Sequence, residues 1–331
     1  MSTGLHSTLP PRDVTVQMLT EPGAMTVRLT VAAGEAGLGR NIVHPRIQKS
    51  GLALVGHFQG LTPERVQILG ETEMSFLATM TPDARRAAVD GFFARRICCA
   101  VVTAGQATFP EVLELAQKHG CPVLISEARS SVTINAVHAL LDEKLAPRTR
   151  VHGVFVDVFG VGILLLGKSG IGKSECALEL VQRGHRLVAD DLVDCVLRPT
   201  DSVYGAAVDL LKNHLEVRGL GVLNIKDLFG VASVRDNKRI DLVIRLVPHD
   251  DDEETWDRLG IDDEWYPLLG TRIAMRRVPV RPGKNTSSTV EVAARNELLR
   301  QAGHHSAREF HARLASAMGV HDPTTMLRGK G

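Results

Sequence analysis

The run Gly167-Lys-Ser-Gly-Ile-Gly-Lys-Ser174 has the spacing G-x-x-x-x-G-K-S, a pattern that cradles phosphate in backbone N–H groups. Gly167, Gly170 and Gly172 allow backbone conformations that turn successive N–H groups toward one concavity. A helix opening at about Lys173 would add the positive end of its dipole to that anion site. Lys173 then stands against the β and γ phosphates of a nucleotide, and the Ser174 hydroxyl on Mg²⁺. The expected nucleotide-binding set is therefore Gly167, Lys168, Ser169, Gly170, Ile171, Gly172, Lys173 and Ser174. Lys168 is a second cation there, read as pointing to solvent. ATPases, GTPases and small-molecule kinases all use this loop, so it names phosphate handling and no particular reaction.

Other chemistry-bearing positions are scattered around it. Asp190-Asp191 ends the apolar run HRLVA, where such folds place a magnesium-organising or proton-handling carboxylate. Side chains alternate faces along a strand, so one of the two can face a metal or hydroxyl while the other turns away. A solvated strand end explains the pair equally well. In Leu215-Glu-Val-Arg-Gly-Leu-Gly-Val-Leu-Asn224, a strand would place Glu216 and Arg218 on one face, for a metal or phosphate or for a cross-strand ion pair. Arg258 and the turn Arg281-Pro-Gly-Lys284 are further cationic spots, the turn serving as a phosphate clamp or, more simply, a hairpin corner. The acidic run His249–Glu254 reads as a solvated loop. His152 is one of 13 histidines, and nothing in its surroundings singles it out.

The elements that must position these residues follow from pattern. A chain of 331 residues favours two domains. Its first half alternates ERVQILG, TPDARRAAVDGFFARR, ICCAVVTAG, FPEVLELAQKHG, CPVLISE and SSVTINAVHALLDEKLA. That β-α-β-α order predicts a small α/β domain over 1–146 with a largely parallel sheet, structural or concerned with assembly or regulation. Ala146-Pro-Arg-Thr-Arg150 is the expected linker, and 147–331 the second domain. There, HGVFVDVFGVGILLLG predicts a hairpin turning at Phe159-Gly160-Val161-Gly162. SECALELVQRG predicts a helix ending near Gly184. HRLVADDLVDCVLR, IDLVIRLV and RIAMRRVPVRP are strand candidates, and two helices close the chain.

Composition excludes several partners. With 39 basic against 38 acidic residues the net charge is +1, so no nucleic-acid or membrane partner is expected. No apolar run approaches the ~18 residues that span a bilayer. The polar start MSTGLHSTLPPRDV is unlike a signal peptide. Cys98, Cys99, Cys121, Cys176 and Cys195 are odd in number and lack C-x-x-C spacing, which fits core packing in a reducing cytoplasm.

The motifs together resemble one family, the bifunctional HPr kinase/phosphorylases. The likeness runs in order through HGVFVDVFGVGILLLGKSGIGKSE, ELVQRGHRLVADD, LEVRGLGVLN, DRLG and PVRPGKN. It implies a C-terminal P-loop kinase domain with a phosphoenolpyruvate carboxykinase-like fold. It also implies transfer of phosphate from ATP, or pyrophosphate, to a serine of the phosphocarrier protein HPr. In reverse, inorganic phosphate would remove that group as pyrophosphate, with control of carbon catabolite repression and sugar uptake as the outcome. By the same resemblance His152, Lys173, Asp191 and Arg258 are catalytic. Asp191 is the base in phosphorylation and the acid in the reverse reaction, and Ser174 and Glu216 hold Mg²⁺. Leu215, Glu216, Val217, Arg218, Gly219, Leu220, Gly221, Val222, Leu223 and Asn224 would serve both activities. Pro279, Val280, Arg281, Pro282, Gly283 and Lys284 would serve mainly dephosphorylation. A cytoplasmic homohexamer is implied as well. Two positions depart from the pattern: Lys168 stands where an acidic residue is frequent, and Lys284 where arginine is common, both bearing on donor preference. The residues by themselves leave two rivals, a P-loop small-molecule kinase or NTPase and a nucleotide-gated switch without catalysis.

Overall fold

The computed structural model describes residues 13–249, 263–281, 283 and 285–317. The chain divides after Ala146 into two compact α/β units. The first contains β1 (Thr30–Ala33), β2 (Gln48–Lys49), α1 (Gly51–Leu54), β3 (Gln67–Leu69), α2 (Glu71–Ala78), α3 (Pro82–Phe93), β4 (Ala100–Val102), α4 (Pro110–His119), β5 (Val123–Ile125) and α5 (Ser130–Lys144). Its sheet has the order β1-β5-β4-β3-β2, with β2 to β5 parallel and β1 antiparallel at one edge. Strand β4 shows why the apolar run around it is continuous. Ala100 and Val102 enter one core and Val101 the other, so both faces are covered. The strand proper is shorter than the run, because Ile97 to Cys99 are buried but unpaired as strand. Local signals set the helix ends: Thr81 Oγ1 accepts from the Ala84 N–H at 3.3 Å at the start of α3, and Gly120, at φ +55°, ends α4.

The second unit contains β6 (Arg148–His152), β7 (Val154–Val158), β8 (Val161–Leu166), α6 (Lys173–Gln182), β9 (Arg186–Ala189), β10 (Leu192–Arg198), β11 (Ser202–Ala207), β12 (His214–Val217), β13 (Gly221–Asn224), α7 (Ile225–Phe229), β14 (Asn237–Arg239), β15 (Leu242–Pro248), β16 (Glu264–Leu268), β17 (Thr271–Val280), α8 (Thr286–Gln301) and α9 (Ser306–Ala317). The expected linker is corrected here. Arg148 to Arg150 belong to β6, which pairs antiparallel with β10 from Leu192↔His152 to Val196↔Arg148. The hairpin turn is narrower than expected, with Phe159-Gly160 alone between β7 and β8, both at positive φ. HRLVADDLVDCVLR forms two strands, with Asp190-Asp191 at the end of the first as expected.

The main sheet has the order β16-β17-β15-β8-β7-β9. Strands β8, β15 and β17 are parallel, and β7 is antiparallel to both β8 and β9, which makes β9 parallel to β8. The carboxyl ends of β8, β9, β15 and β17 therefore share one edge. Side chains of β8 alternate between two cores. Val161, Ile163 and Leu165 meet Ala177 and Leu180 of α6 and Val290 and Ala294 of α8, while Leu164 and Leu166 meet Phe155 and Val193. Each fully buried Leu, Ile or Phe contributes about 1.5–3 kcal/mol relative to exposure. All five cysteines are free and buried, and burial pushes the thiols of Cys121, Cys176 and Cys195 up to about 12.

Strand β8 is pinned from below by Gly162. Its N–H donates to Asp241 Oδ2 at 2.8 Å, and a Cβ at this position would stand 1.9 Å from the Arg239 carbonyl oxygen. Backbone cannot yield that much space. Gly162→Ala should therefore lose about 1–3 kcal/mol of unfolding free energy, measured by urea titration of the purified protein. An unchanged midpoint would show that β8 is not held there.

Candidate active site

The shared carboxyl edge explains how distant residues meet. Open α/β sheets gather ligands outside the carboxyl ends of their strands, where loops leave the sheet and carry backbone N–H groups outward. At this edge β8 runs into Gly167–Ser174, β9 into Asp190-Asp191, and β17 into Arg281, while β7 begins just after His152. The sequence-predicted residues thus converge by topology. Arg258, Pro282 and Lys284 lie outside the described residues. Arg281 is described but links β17 toward α8, so the simple hairpin-corner reading of that turn is corrected.

The loop is built as its glycines suggest. Gly167, Gly170 and Gly172 have φ of +155°, +80° and +98°, and α6 opens at Lys173. Lys173 Nζ donates to the carbonyl oxygens of Gly167 at 3.0 Å and Lys168 at 3.1 Å, folding back on its own loop. A Cβ on Gly170 would stand 2.6 Å from Arg218 Nη2, so glycine there lets that guanidinium lie against the loop. Arg218 does not share a strand face with Glu216. Strand β12 ends at Val217, and Arg218 opens the turn to β13.

The carboxylate pair divides between two directions. Asp190 is 5% exposed and points inward, where Oδ1 accepts from the Ser174 hydroxyl at 3.1 Å and Oδ2 from the Glu216 N–H at 2.9 Å. Burial pushes its carboxyl above the usual range, against the opposing pull of those two hydrogen bonds. Asp191 faces outward, its side chain 73% exposed, with His152 Nδ1 3.8 Å from its Oδ1. The reversal comes from Asp191 itself, which holds φ +62°. Its carbonyl accepts from the Gly153 N–H at 3.0 Å, and the Leu192 N–H donates to Asp190 O at 2.7 Å. Sequence reasoning named the pair but gave Asp190 no role of its own. Alternation along a strand said that one carboxylate turns inward, and only the fold says which.

Among the described residues no three His, Cys, Asp or Glu side chains group to hold a metal. Ser174 and Asp190 instead present a hydroxyl beside a buried carboxylate that no described cationic side chain pairs. Hard oxygen donors few in number suit Mg²⁺, which keeps waters and takes phosphate oxygens. The residues present therefore fit that ion.

Fold and site define a two-domain α/β protein with a glycine loop, a buried carboxylate and an exposed Asp–His pair on one sheet edge. The model of the HPr Serine kinase N terminus matches residues 14–141, and that of the HPr Serine kinase C-terminal domain matches residues 143–314. The HPr kinase/phosphorylase of Geobacter sulfurreducens is 47% identical over 305 residues, 92% of this chain and 95% of that protein. The one from Geobacillus kaustophilus is 41% identical over 302 residues, 89% of this chain and 95% of its own. A solved structure of the Hpr(Ser) kinase/phosphatase from Coxiella burnetii superposes with a TM-score of 0.45 at 29% identity, covering 49% of this chain and 98% of that one. This chain belongs to the HPr kinase/phosphorylase family.

Asp190 also yields a stability prediction. A carboxyl whose pKa is raised on folding costs stability wherever it is ionised in the native state. The cost is full above the folded pKa and fades as pH falls through it toward the unfolded value. In metal-free protein Asp190→Asn should therefore melt no lower than wild type at pH 7, with the gap closing as pH drops into the carboxylate range. Thermal melts across pH check this, and a variant markedly less stable at pH 7 would contradict it.

Proposed function

We propose that the protein is a bifunctional HPr kinase/phosphorylase, its second unit a P-loop kinase domain of phosphoenolpyruvate carboxykinase-like fold. It transfers a phosphoryl group from ATP, or from pyrophosphate, to a serine of HPr. With inorganic phosphate it removes that group as pyrophosphate. The observation that carries the reading is the convergence of the glycine loop, inward Asp190 and outward Asp191–His152 on one sheet edge.

In this reading Lys173 exchanges the loop carbonyls it holds now for phosphate oxygens. Ser174 and Glu216 would hold Mg²⁺, with Asp190 accepting from the Ser174 hydroxyl and from the Glu216 N–H. Bound there, the ion neutralises charge on the phosphate oxygens. Asp191 takes the proton of the seryl hydroxyl as that oxygen attacks the terminal phosphorus and the nucleoside diphosphate leaves. In reverse, a phosphate oxygen attacks the phosphoserine phosphorus, pyrophosphate forms, and Asp191 returns the proton to the departing seryl oxygen. His152 stands beside Asp191 to orient it. Arg258 is assigned as a further catalytic cation. Leu215–Asn224 serves both directions through Glu216 and through Arg218 against Gly170, and 279–284 serves mainly the reverse. The enzyme acts as a cytoplasmic homohexamer; among the described residues no helix is long and apolar enough to cross a membrane.

The test is one reaction in two stages. Purified protein with HPr, Mg²⁺ and ATP should yield phosphoserine, and excess phosphate added afterwards should reverse it with release of pyrophosphate. Asp191→Asn should lower both transfers about 100- to 10,000-fold while a direct assay finds nucleotide binding nearly intact. Near wild-type phosphorylation by that variant would refute the role of Asp191. Steady ATP hydrolysis without acceptor, or turnover of a metabolite, would favour a small-molecule kinase or NTPase. Tight nucleotide binding without any transfer would favour a switch.

A further inference from the structure

The far end of α6 carries a cluster of polar side chains that the proposed chemistry does not use. His185, 6% exposed, stands between α6 and β9, and its Nε2 donates to Glu291 Oε1 of α8 at 2.9 Å. Arg183 Nη1 donates to Glu291 Oε2 and to Ser288 Oγ, both at 3.1 Å. One turn nearer the start of α8, Ser287 Oγ donates to Glu179 Oε2 at 2.8 Å. The His185 ring also meets Phe159 of the β7–β8 turn edge-on, with centroids 4.6 Å apart, and Arg295 covers the Phe159 ring at 4.1 Å. Spacing makes this one continuous clasp. Ser288, Glu291 and Arg295 fall at i, i+3 and i+7 on α8, and Glu179 and Arg183 at i and i+4 on α6. On its other face α8 buries Val290 and Ala294 in the core, so the helix is held from two sides. The hydrogen bond from His185, helped by the charge of Arg183, keeps the Glu291 carboxyl below its usual range, so it stays ionised at neutral pH.

Each partner in the clasp is attached to a different part of the site. Helix α6 begins at Lys173 and Ser174, and β9 begins after His185 and ends at Asp190-Asp191. Helix α8 follows directly on 279–284. The amino end of that segment is fixed by pairing of Pro279 with Val247 and Val280 with Pro248. Its carboxyl end meets α8, where Asn285 Oδ1 accepts from the Ser288 N–H at 2.9 Å. Where α8 sits therefore decides how far the chain must reach from Val280 to Asn285. Ten residues of α6 place the clasp roughly 15 Å from the glycine loop along the helix axis. It touches no reacting group.

We infer that Glu291, through Arg183 and His185, is a positioning residue that sets the balance between the two directions of transfer by fixing the start of α8 relative to α6. The inference rests on the proposed function and goes beyond it, since it assigns the control of direction to side chains outside the site.

The experiment measures both activities on the same preparation of full-length protein: phosphorylation of HPr with ATP, and phosphate-dependent release of pyrophosphate from phosphorylated HPr. In Glu291→Gln the ratio of reverse to forward rate should fall about 3- to 30-fold, with the KM for phosphate rising and the forward kcat little changed. Ser287→Ala leaves Glu291 and its partners in place, removes the Glu179 link and the contact of Ser287 Oγ with the capping Asn285 Oδ1 at 2.5 Å, and should shift the ratio in the same sense, which keeps the inference testable if the first variant folds poorly. An unchanged ratio in both variants overturns it. So does a parallel loss of both activities with a lower melting temperature, the mark of a purely structural clasp. A wild type that phosphorylates HPr but never releases pyrophosphate overturns the two-way reading itself, a failure seen before any variant is made.

Discussion

One buried carboxylate holds the candidate site together. Asp190 joins segments that the sequence separates widely: the start of α6 through Ser174, the end of β9 through its own backbone, and β12 through the Glu216 N–H. Taking an ion out of water costs several kcal/mol even after relaxation. Two hydrogen bonds offset part of that cost and leave the rest as a standing demand for positive charge. A carboxylate in that condition favours whatever cation comes to the loop. It also fixes the direction of its neighbour. With Asp190 committed inward and the backbone at Asp191 in the left-handed region, the second carboxylate emerges on the outer side beside His152. The burial of one acid leaves the other on the solvent side of the edge.

The sheet supplies the remaining constraint. Because β8, β9, β15 and β17 all end at one edge, the glycine loop after β8 and the Asp190-Asp191 break after β9 leave the core side by side. Strands stay rigid on both faces through alternating apolar side chains, so the loops inherit fixed starting points. The glycine at 170 has a second duty. Beyond its positive φ, it leaves room for Arg218, so a cation from the β12–β13 turn reaches the loop without displacing backbone. Two features that look separate in sequence, the glycine loop and the LEVRGLG run, are thus one packed unit.

Features written within a few residues were legible from sequence. The glycine loop, the Thr81 and Pro82 start of α3, the Gly120 stop and the Phe159-Gly160 turn each follow from local backbone preference, and the structure contains all of them. The alternation of strands and helices in the first half likewise predicted a small α/β unit with a largely parallel sheet, and the structure has one. What stayed hidden depends on distant pairing. Arg148 to Arg150 read as linker because their strand exists only against β10, more than forty residues away in the chain. Asp190 and Asp191 are chemically identical and adjacent, and what separates them, the left-handed backbone at Asp191 and the bonds to Asp190 from Ser174 and Glu216, is encoded by no local pattern. Arg218 was placed on a strand face because period-2 counting cannot see that β12 stops one residue earlier.

Exposure bears on what the acceptor is. An enzyme that phosphorylates a metabolite must enclose it, since a small molecule offers few contacts and its reaction needs water kept away. Here His152 and Asp191 stand 81% and 73% exposed at the sheet edge from which the glycine loop also leaves. A folded protein that presents a serine brings its own surface to cover such a pair. On the proposed reading, docking brings the serine hydroxyl to Asp191 and excludes water from the glycine loop in the same event. On that account the acceptor completes the site, and idle hydrolysis is disfavoured because water alone cannot close it. The same physics serves the proposed return direction, where the docked phosphoserine protein again supplies the cover.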